Sequence, residues 1–461
     1  MKYDAIIIGA GQSGPFIAAR LEGQGKKVAL VEGAKIGGSC VNYGCIPTKT
    51  LIASARAIYM AGRGDEFGFS TGPIEVDFEA VMARKDRRVD DAQGGFDGWM
   101  RSLENMDVYD GFGSFVGTKD GVHQVKVNDD TLEAEQVFIN TGGRAFVPPI
   151  PGLKDVDYVD NRGILALKHL PKELVILGGG YIGLEFAQAF RRFGSEVTVV
   201  EMAPRLAIRE DEDISAEVLS ILENEGIRIL TGHKANEVSQ DENGRKFVSA
   251  EDENGKAVTI EGTDLLVAVG RRPNSEALNL DAVGVKVDGR GYIQVNNRLE
   301  TNVAGIWAVG DVNGRGAFTH TSYQDHEIVV ANLEGGDRSL NERNMAYAVY
   351  IDPPLGRVGM NEREARESGR PVLTATKPMS HIGRALEQGE SQGMIKLLVD
   401  AETEQFLGAT VLGYHGDDVI QVLSYYMATG ATYHAMKNAL PVHPTISELL
   451  PTILGELQPL E

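Results

Sequence analysis

The sequence predicts an α/β fold built around two βαβ units of the doubly wound type, and three observations predict it. An apolar run, a glycine turn, a helix and a second apolar run follow one another twice. In both copies 23 positions separate the first glycine of the turn from a glutamate that ends the second run, Gly9 to Glu32 and Gly178 to Glu201. Glycine is also in excess, 55 in 461 residues, roughly 12% against about 7% on average, with no low-complexity tract to hold it.

The first unit starts with the apolar run 5–8 and the turn Gly9-Ala10-Gly11-Gln12-Ser13-Gly14. A helix is expected over 15–23 and a strand over 28–31, closed by Glu32. Each glycine has a physical task. Gly9 makes the tight turn, Gly11 lets a pyrophosphate approach the backbone, and Gly14 lets helix and strand pack closely. The helix N-terminus adds free N–H groups and the positive end of its dipole, and Glu32 accepts hydrogen bonds from a ribose. A lone GxGxxG turn is weak, but turn, strand, helix and terminal acid in this order form a Rossmann-like dinucleotide site.

The second unit repeats the pattern with the run 174–177 and Gly178-Gly179-Gly180-Tyr181-Ile182-Gly183. A helix over 181–193 and a strand over 197–200 lead to Glu201. Gly178, Gly180 and Gly183 take the three glycine tasks. Glu201 favours NAD over NADP, because a 2′-phosphate would meet its carboxylate. Arg205 and Arg209 follow it and keep NADPH open.

Both cysteines lie in Gly37-Gly38-Ser39-Cys40-Val41-Asn42-Tyr43-Gly44-Cys45-Ile46-Pro47-Thr48-Lys49. Four intervening residues close a small ring if the backbone bends. With no further cysteine in the chain, a tetrahedral zinc site lacks ligands, and no metal is expected. Pro47 marks the first turn of a helix, which puts Cys45 near a helix N-terminus, where a thiolate is stabilised. A redox dithiol is the reading; two inert thiols are the alternative.

Composition excludes several partners. The net charge of −21, from 45 Lys+Arg and 66 Asp+Glu, repels polyanions and anionic lipid, so neither nucleic acid nor membrane is expected. No apolar run reaches the roughly 18 residues of a spanning helix, and the N-terminus is no signal peptide. Two cysteines build no secreted disulfide framework, so a cytoplasmic setting is expected.

The segment GGSCVNYGCIPTK resembles the redox-active segment of the class I pyridine nucleotide–disulfide oxidoreductases. The resemblance extends over essentially the whole chain through INTGGR (139–144), GGGYIGLEFA (178–187), VGRRPN (269–274), GIWAVGDV (305–312) and HPTISE (443–448). It implies an FAD- and NAD(P)H-dependent enzyme. It makes Cys40 the interchange thiol and Cys45 the thiol facing the flavin. Lys49 becomes the lysine near flavin N5, with Glu185 as its partner. Tyr181 becomes the ring covering the flavin until a nicotinamide enters. Thr141, Gly142 and Asp311 are implied in FAD binding, and Gly270 in cofactor binding. His443, oriented by Glu448, is implied as the acid/base of the partner subunit's site, hence a homodimer.

The resemblance also implies an organisation: an FAD-binding domain over 1–148 and 270–342, an NAD(P)-binding domain over 149–269, and a C-terminal α+β dimerisation domain over 343–461. Within the first, a helical stretch over 77–105 interrupted at Gly94-Gly95 and a β-hairpin region over 108–140 are expected. The acceptor expected is a small-molecule disulfide, an oxidant or a metal ion, as in a mercuric-reductase-like branch that includes reactive-chlorine-resistance reductases. The chain lacks the C-terminal vicinal cysteines of mercuric reductases. Dihydrolipoyl dehydrogenase is the alternative activity. A flavoprotein redox sensor with little turnover is the alternative class.

Overall fold

The computed structural model describes residues 1–460; Glu461, the last residue of the expected C-terminal domain, lies outside the described residues. The chain opens with β1 (Ala5–Ile8), α1 (Gly14–Glu22) and β2 (Val28–Glu32). Two consecutive helices follow, α2 (Gly38–Tyr43) and α3 (Cys45–Gly62), then α4 (Phe78–Arg101) and β3 (Met106–Asp110). A meander of β4 (Gly113–Lys119), β5 (Val122–Val127) and β6 (Asp130–Ala134) leads into β7 (Gln136–Ile139) and the short β8 (Gly143–Ala145).

The second unit contains β9 (Glu173–Leu177), α5 (Tyr181–Phe193), β10 (Glu196–Val200), α6 (Glu212–Asn224) and β11 (Arg228–Leu230). It has its own meander, β12 (Lys234–Gln240), β13 (Lys246–Glu251) and β14 (Ala257–Gly262), and then β15 (Asp264–Val267). β16 (Arg271–Pro273) pairs antiparallel with β8, and β17 (Ile306–Ala308) precedes α7 (Thr319–Leu333).

The first sheet is parallel in the order β17-β7-β1-β2-β3, and the second is parallel in the order β11-β10-β9-β15. The duplication therefore goes deeper than the glycine turns. In both units a three-stranded antiparallel meander is inserted immediately before the strand that flanks the first one. Alternate residues of the first strand serve two cores. Ala5 and Ile7 pack beneath Ile17, Leu21 and Ile328, while Ile6 and Ile8 pack against Phe115, Val125 and Val127 of the meander. In the same way Leu174 and Ile176 face α5 and α6, and Val175 and Leu177 face Val238, Val248 and Ile260. Burial on both faces explains the uninterrupted apolar runs.

The C-terminal part contains β18 (Ala346–Val349), β19 (Leu355–Gly359), α8 (Glu362–Glu367), β20 (Val372–Pro378), α9 (Gly383–Glu387), β21 (Met394–Asp400) and β22 (Phe406–Leu412). Helices α10 (Gly416–Ala428), α11 (Tyr433–Lys437) and α12 (Leu450–Ile453) and strand β23 (Gln458–Pro459) complete it. Its sheet is antiparallel, β18-β19-β22-β21-β20-β23, so the fold is the expected mixed α/β with an α+β end.

Two expectations need correction. Helix α4 runs without interruption through Gly94-Gly95. Phe78, Met82, Val89 and Met100 bury one side of it, and that packing outweighs a propensity cost of about 1 kcal/mol per glycine. The region 108–140 is not all hairpin. Only β4 to β6 are antiparallel, while β3 and β7 join the parallel sheet. Among the described residues no helix is long and apolar enough to cross a membrane.

Candidate active site around two cysteines

The two glycine turns are set by sterics, not only by a ligand. Gly9 and Gly178 have positive φ, +102° and +111°, and a Cβ there would lie 2.4 Å from Asn140 O and 2.5 Å from Ala268 O respectively. A Cβ on Gly14 or Gly183 would meet the carbonyl of the first glycine at 2.3 or 2.2 Å. Gly180 is different, since its Cβ would meet nothing within 4 Å, and at Gly11 only the Asn140 side chain comes close. The middle glycine of each turn thus leaves a cradle that a side chain would fill.

The terminal glutamates behave alike. Glu32 accepts from Ala10 N and Ala34 N, each at 2.7 Å. Glu201 accepts from Gly179 N at 2.5 Å and Ala203 N at 2.6 Å. A carboxylate has about four acceptor sites, so both keep capacity for a ribose. Burial pushes the Glu32 carboxyl up, and the two backbone N–H groups oppose that. Arg205 pairs with Glu212 at 2.9 Å.

The cysteines sit where two helices meet. Cys40 is in α2, and Cys45 is the first residue of α3. The bend between them falls on Gly44, φ −139° and ψ −112°, where a Cβ would meet Ser39 O at 2.8 Å. Both thiols are free. Cys45 is pulled down to about 6, first by the hydrogen bond with Cys40, then by Thr319 and Lys49, against the opposing effect of burial. Cys40 is pushed far up because it shares its proton with Cys45 and is buried. Of the pair, Cys45 is the thiolate and Cys40 keeps the proton. Thr319 Oγ1 lies 3.0 Å from Cys45 Sγ, and against a thiolate the hydroxyl is the donor.

Lys49, one turn into α3, donates to Glu185 Oε2 at 2.7 Å and Oε1 at 3.0 Å. Glu185 also accepts from Tyr350 N at 2.8 Å, and the Lys49 ammonium lies 4.7 Å from the Tyr350 ring centroid. The cation is therefore held between a buried carboxylate and an aromatic face.

Thr141 Oγ1 donates to Asn274 O at 2.8 Å, which ties the crossing after β7 to the segment after β16. Gly142 has φ +65°. Gly270 accepts from Phe146 N at 2.9 Å. Asp311 lies three residues beyond β17 and pairs with Arg271 at 3.3 Å; burial pushes its carboxyl up and Arg271 opposes that. The Tyr181 hydroxyl donates to Glu210 and lies 3.0 Å from the Tyr347 hydroxyl. His443 Nδ1 is 2.9 Å from Glu448 Oε2. This pair sits on an exposed strip with Leu440 and Val442, which are 96% and 74% exposed, and its hydrogen-bond partner is Glu448 rather than either cysteine.

Four contributors escaped the sequence reading. Asn140 stands within INTGGR, and its Nδ2 donates to Gly9 O at 3.2 Å. Thr319, Tyr350 and Glu210 carry no motif, because each acts across a fold contact far from its partner in sequence.

Comparison with known proteins follows the same outline. The family model described as pyridine nucleotide-disulphide oxidoreductase matches residues 3–325, and the model of that family's dimerisation domain matches 345–453. The chain is 38% identical over 455 residues to the probable pyridine nucleotide-disulfide oxidoreductase RclA of Escherichia coli K12, covering 97% of this chain and 98% of that one. It is 35% identical to a dihydrolipoyl dehydrogenase of Thermus scotoductus, covering 97% and 95%. It is 33% identical to a mercuric reductase of Bacillus cereus, covering 97% and 70%. The solved structure of the HOCl-induced flavoprotein disulfide reductase RclA from Escherichia coli, in a Cu(II) complex, superposes with a TM-score of 0.87 at 36% identity, over 98% of this chain and 99% of that one.

Proposed function

The chain belongs to the pyridine nucleotide-disulphide oxidoreductases, and from that premise we propose that it oxidises NADH and delivers the electrons through Cys40 and Cys45 to a small thiol-reactive acceptor. It is a flavoprotein enzyme of a family that depends on FAD and uses NAD(P)H. The observation that carries the proposal is the placement of Cys40 and Cys45 at the junction of α2 and α3, with Thr319 Oγ1 3.0 Å from Cys45 Sγ and the Lys49–Glu185 pair one turn along α3.

The residues fit FAD in the first unit. Gly9 to Gly14 and the start of α1 present backbone N–H groups, the cradle at Gly11 admits a pyrophosphate, and Glu32 and Asp311 supply polar contacts. When bound, FAD supplies a two-electron relay between a nicotinamide and a disulfide. Lys49, fixed by Glu185 and Tyr350, supplies a cation for the electron-rich state. Gly178, Gly180 and Gly183 hold the nicotinamide dinucleotide, and Glu201 selects NADH. Cys45 is the thiolate of the reduced pair and would be the sulfur that exchanges electrons with a bound flavin. Cys40 releases its proton to His443 Nε2 of a second copy and attacks the acceptor as thiolate; the Cys45 thiolate then displaces the reduced leaving group from the Cys40 sulfur and closes the Cys40–Cys45 disulfide, and the proton on His443 goes to that leaving group. With Glu448 holding Nδ1, Nε2 is the free base.

On this reading 1–148 with 270–342 form the FAD unit, 149–269 the NAD unit and 343–461 the dimer unit; the return of β17 to the first sheet supports the split. A second copy would cover Leu440, Val442 and Tyr425 and bring His443 to the dithiol. Phe16 stacks on His326 at 5.2 Å and is flanked by Tyr323 and Trp99. Phe16 and Ala19 stand where glutathione reductases place an alanine and an arginine against their substrate, which disfavours glutathione disulfide. We favour an oxidant or metal-ion acceptor, since the RclA of the Cu(II) complex is named as HOCl-induced. The His443–Glu448 pair also suits dihydrolipoamide.

The test is steady-state NADH oxidation with hypothiocyanous acid, Cu(II), Hg(II), lipoamide and glutathione disulfide, using wild type and Cys40→Ser. Loss of acceptor turnover in Cys40→Ser is expected. Intact turnover sinks the dithiol route, and a marked preference for lipoamide selects the dehydrogenase activity. Anaerobic NADH titration should take up about four electrons per flavin, against two if the thiols are bypassed.

A further inference from the structure

Glu210 is 2% exposed, and no step above uses it. It lies between β10 and the start of α6. Its Oε1 accepts from two phenols, Tyr181 and Tyr347, the latter at 2.6 Å. Its Oε2 is buried without a hydrogen-bond partner and faces Arg357 Nη1 at 3.8 Å. Arg357 in turn lies 5.2 Å from the Tyr347 ring centroid and donates to Arg209 O at 3.0 Å, while its Nε is buried and unpartnered. A buried carboxylate and guanidinium that each leave an orphan atom are poorly arranged for stability alone. What the arrangement does provide is a fixed acceptor for the Tyr181 hydroxyl.

The anchor is rigid on the side away from Tyr181. Asn361 Nδ2 donates to Arg209 O at 3.0 Å, Glu362 N donates to Asp211 Oδ1 at 3.1 Å, and Lys396 Nζ donates to Asp213 Oδ1 at 2.8 Å and Asp211 Oδ2 at 3.3 Å. Tyr347 is held by Phe318, stacked at 5.0 Å and 7°. The C-terminal sheet therefore grips the segment from Arg209 to Asp213 from several sides. Tyr181, the first residue of α5, meets the grip through its ring contact with Tyr347 and its hydroxyl.

We propose that Glu210, backed by Tyr347 and Arg357, is a positioning residue that latches the Tyr181 ring in the orientation seen here, so that a nicotinamide must break this latch to reach the flavin. The inference rests on the reading of Tyr181 as the ring covering the flavin. Only the fraction of molecules with the latch open binds the nicotinamide ring, and the apparent affinity is reduced by that fraction.

The holoenzyme is titrated by calorimetry with tetrahydro-NADH, a hydride-incompetent analogue, and with ADP-ribose, which has no ring to seat. Tyr181→Phe removes the donor, and Glu210→Gln removes the charge at constant shape. A hydrogen bond to a charged acceptor corresponds to roughly tenfold or more in an equilibrium. Tyr181→Phe should therefore tighten analogue binding about tenfold, and Glu210→Gln about threefold. The double variant should bind no tighter than Tyr181→Phe, and ADP-ribose affinity should stay within twofold throughout.

Weakened analogue binding, an equal shift for ADP-ribose, or additive effects in the double variant would each overturn the latch. If Glu210→Gln fails to fold, Tyr181→Phe decides alone, and an unchanged analogue affinity refutes the proposal. Tyr181→Ala separates the two levels. If it binds the analogue like wild type, the ring is no cover at all; if it binds more tightly while Glu210→Gln is unchanged, the cover stands and the latch falls.

Discussion

Thr319→Val tests the electrostatics of the dithiol most directly. The substitution keeps the shape of the first turn of α7 and removes the hydroxyl 3.0 Å from Cys45 Sγ. A hydrogen bond to a charged group contributes about 1.5–3 kcal/mol, and one pH unit is worth about 1.4 kcal/mol. Sulfur is a weak acceptor, so the lower end applies, and the expected shift is about one unit upward. The Cys40 hydrogen bond, the largest cause of the lowering, is left in place. In wild type the thiolate lies above its midpoint at about 6 and is lost as pH falls through it. The assay is the long-wavelength charge-transfer absorbance of the two-electron-reduced holoenzyme between pH 4 and 9, roughly the range set by ordinary carboxyl and thiol groups. A wild-type midpoint at the ordinary thiol value, or a Thr319→Val midpoint equal to wild type, refutes the assignment of Cys45 as a thiolate held by Thr319.

Other changes test other layers. Gly94→Ala and Gly95→Ala fall on exposed positions of α4 where a Cβ meets nothing within 4 Å; each should stabilise by about 1 kcal/mol in urea titration, and destabilisation would mean the helix needs those glycines. Glu201→Ala should raise kcat/KM with NADPH about tenfold while lowering it with NADH, because the carboxylate that repels a 2′-phosphate is gone; unchanged selectivity would assign it to Arg205 or Arg209. Cys40→Ser and His443→Ala subunits, co-expressed with different tags, should give doubly tagged mixed dimers with roughly half of wild-type acceptor turnover, one intact site of two, whereas no recovery would place His443 and Cys40 in the same subunit's site.

The doubly wound units were legible because their signals are local. Turn, helix, second strand and terminal acid follow within 23 positions, and the third glycine of each turn packs on the carbonyl of the first, although the first itself packs on Asn140 or Ala268 far along the chain. The break expected at Gly94-Gly95 failed for the opposite reason, since α4 is stabilised by Phe78, Met82 and Met100 packing on distant elements. The site divided along the same line. Cys40, Cys45 and Lys49 share one short segment and were readable. Thr319, Tyr350 and Glu210 reach their partners across 274, 165 and 29 positions, and no spacing rule connects them.

The pairing of α3 with α5 shows how the fold aligns chemistry from two units, and it makes a last prediction. On α3 one stripe carries Cys45, Lys49 and Arg56; on α5 one stripe carries Tyr181, Glu185, Gln188 and Arg192. Steps of four, seven and eleven return to the same face of a helix with 3.6 residues per turn. The two stripes face each other: Lys49 meets Glu185, and one step further Arg56 and Arg192 both meet Asp352, Arg56 through Nη1 and Arg192 Nη1 at 2.5 Å. Gln188 completes the junction, donating to Asp352 O and accepting from Asp352 N, each at 2.7 Å. Asp352 is thus a counter-charge between two guanidiniums on the interface that also carries the Lys49–Glu185 pair. Asp352→Asn keeps the backbone contacts and removes the charge. Breaking a buried pair from one side costs about 3–5 kcal/mol; Arg56 is partly exposed and Glu225 and Glu390 remain on the two arginines, so about 2–3 kcal/mol is expected in urea titration. Because the Lys49–Glu185 contact lies on the same interface, the Cys45 midpoint should rise as well. A variant that loses stability while its charge-transfer titration stays at the wild-type midpoint would show that the ion pairs hold the helices together without setting the register of their first turns.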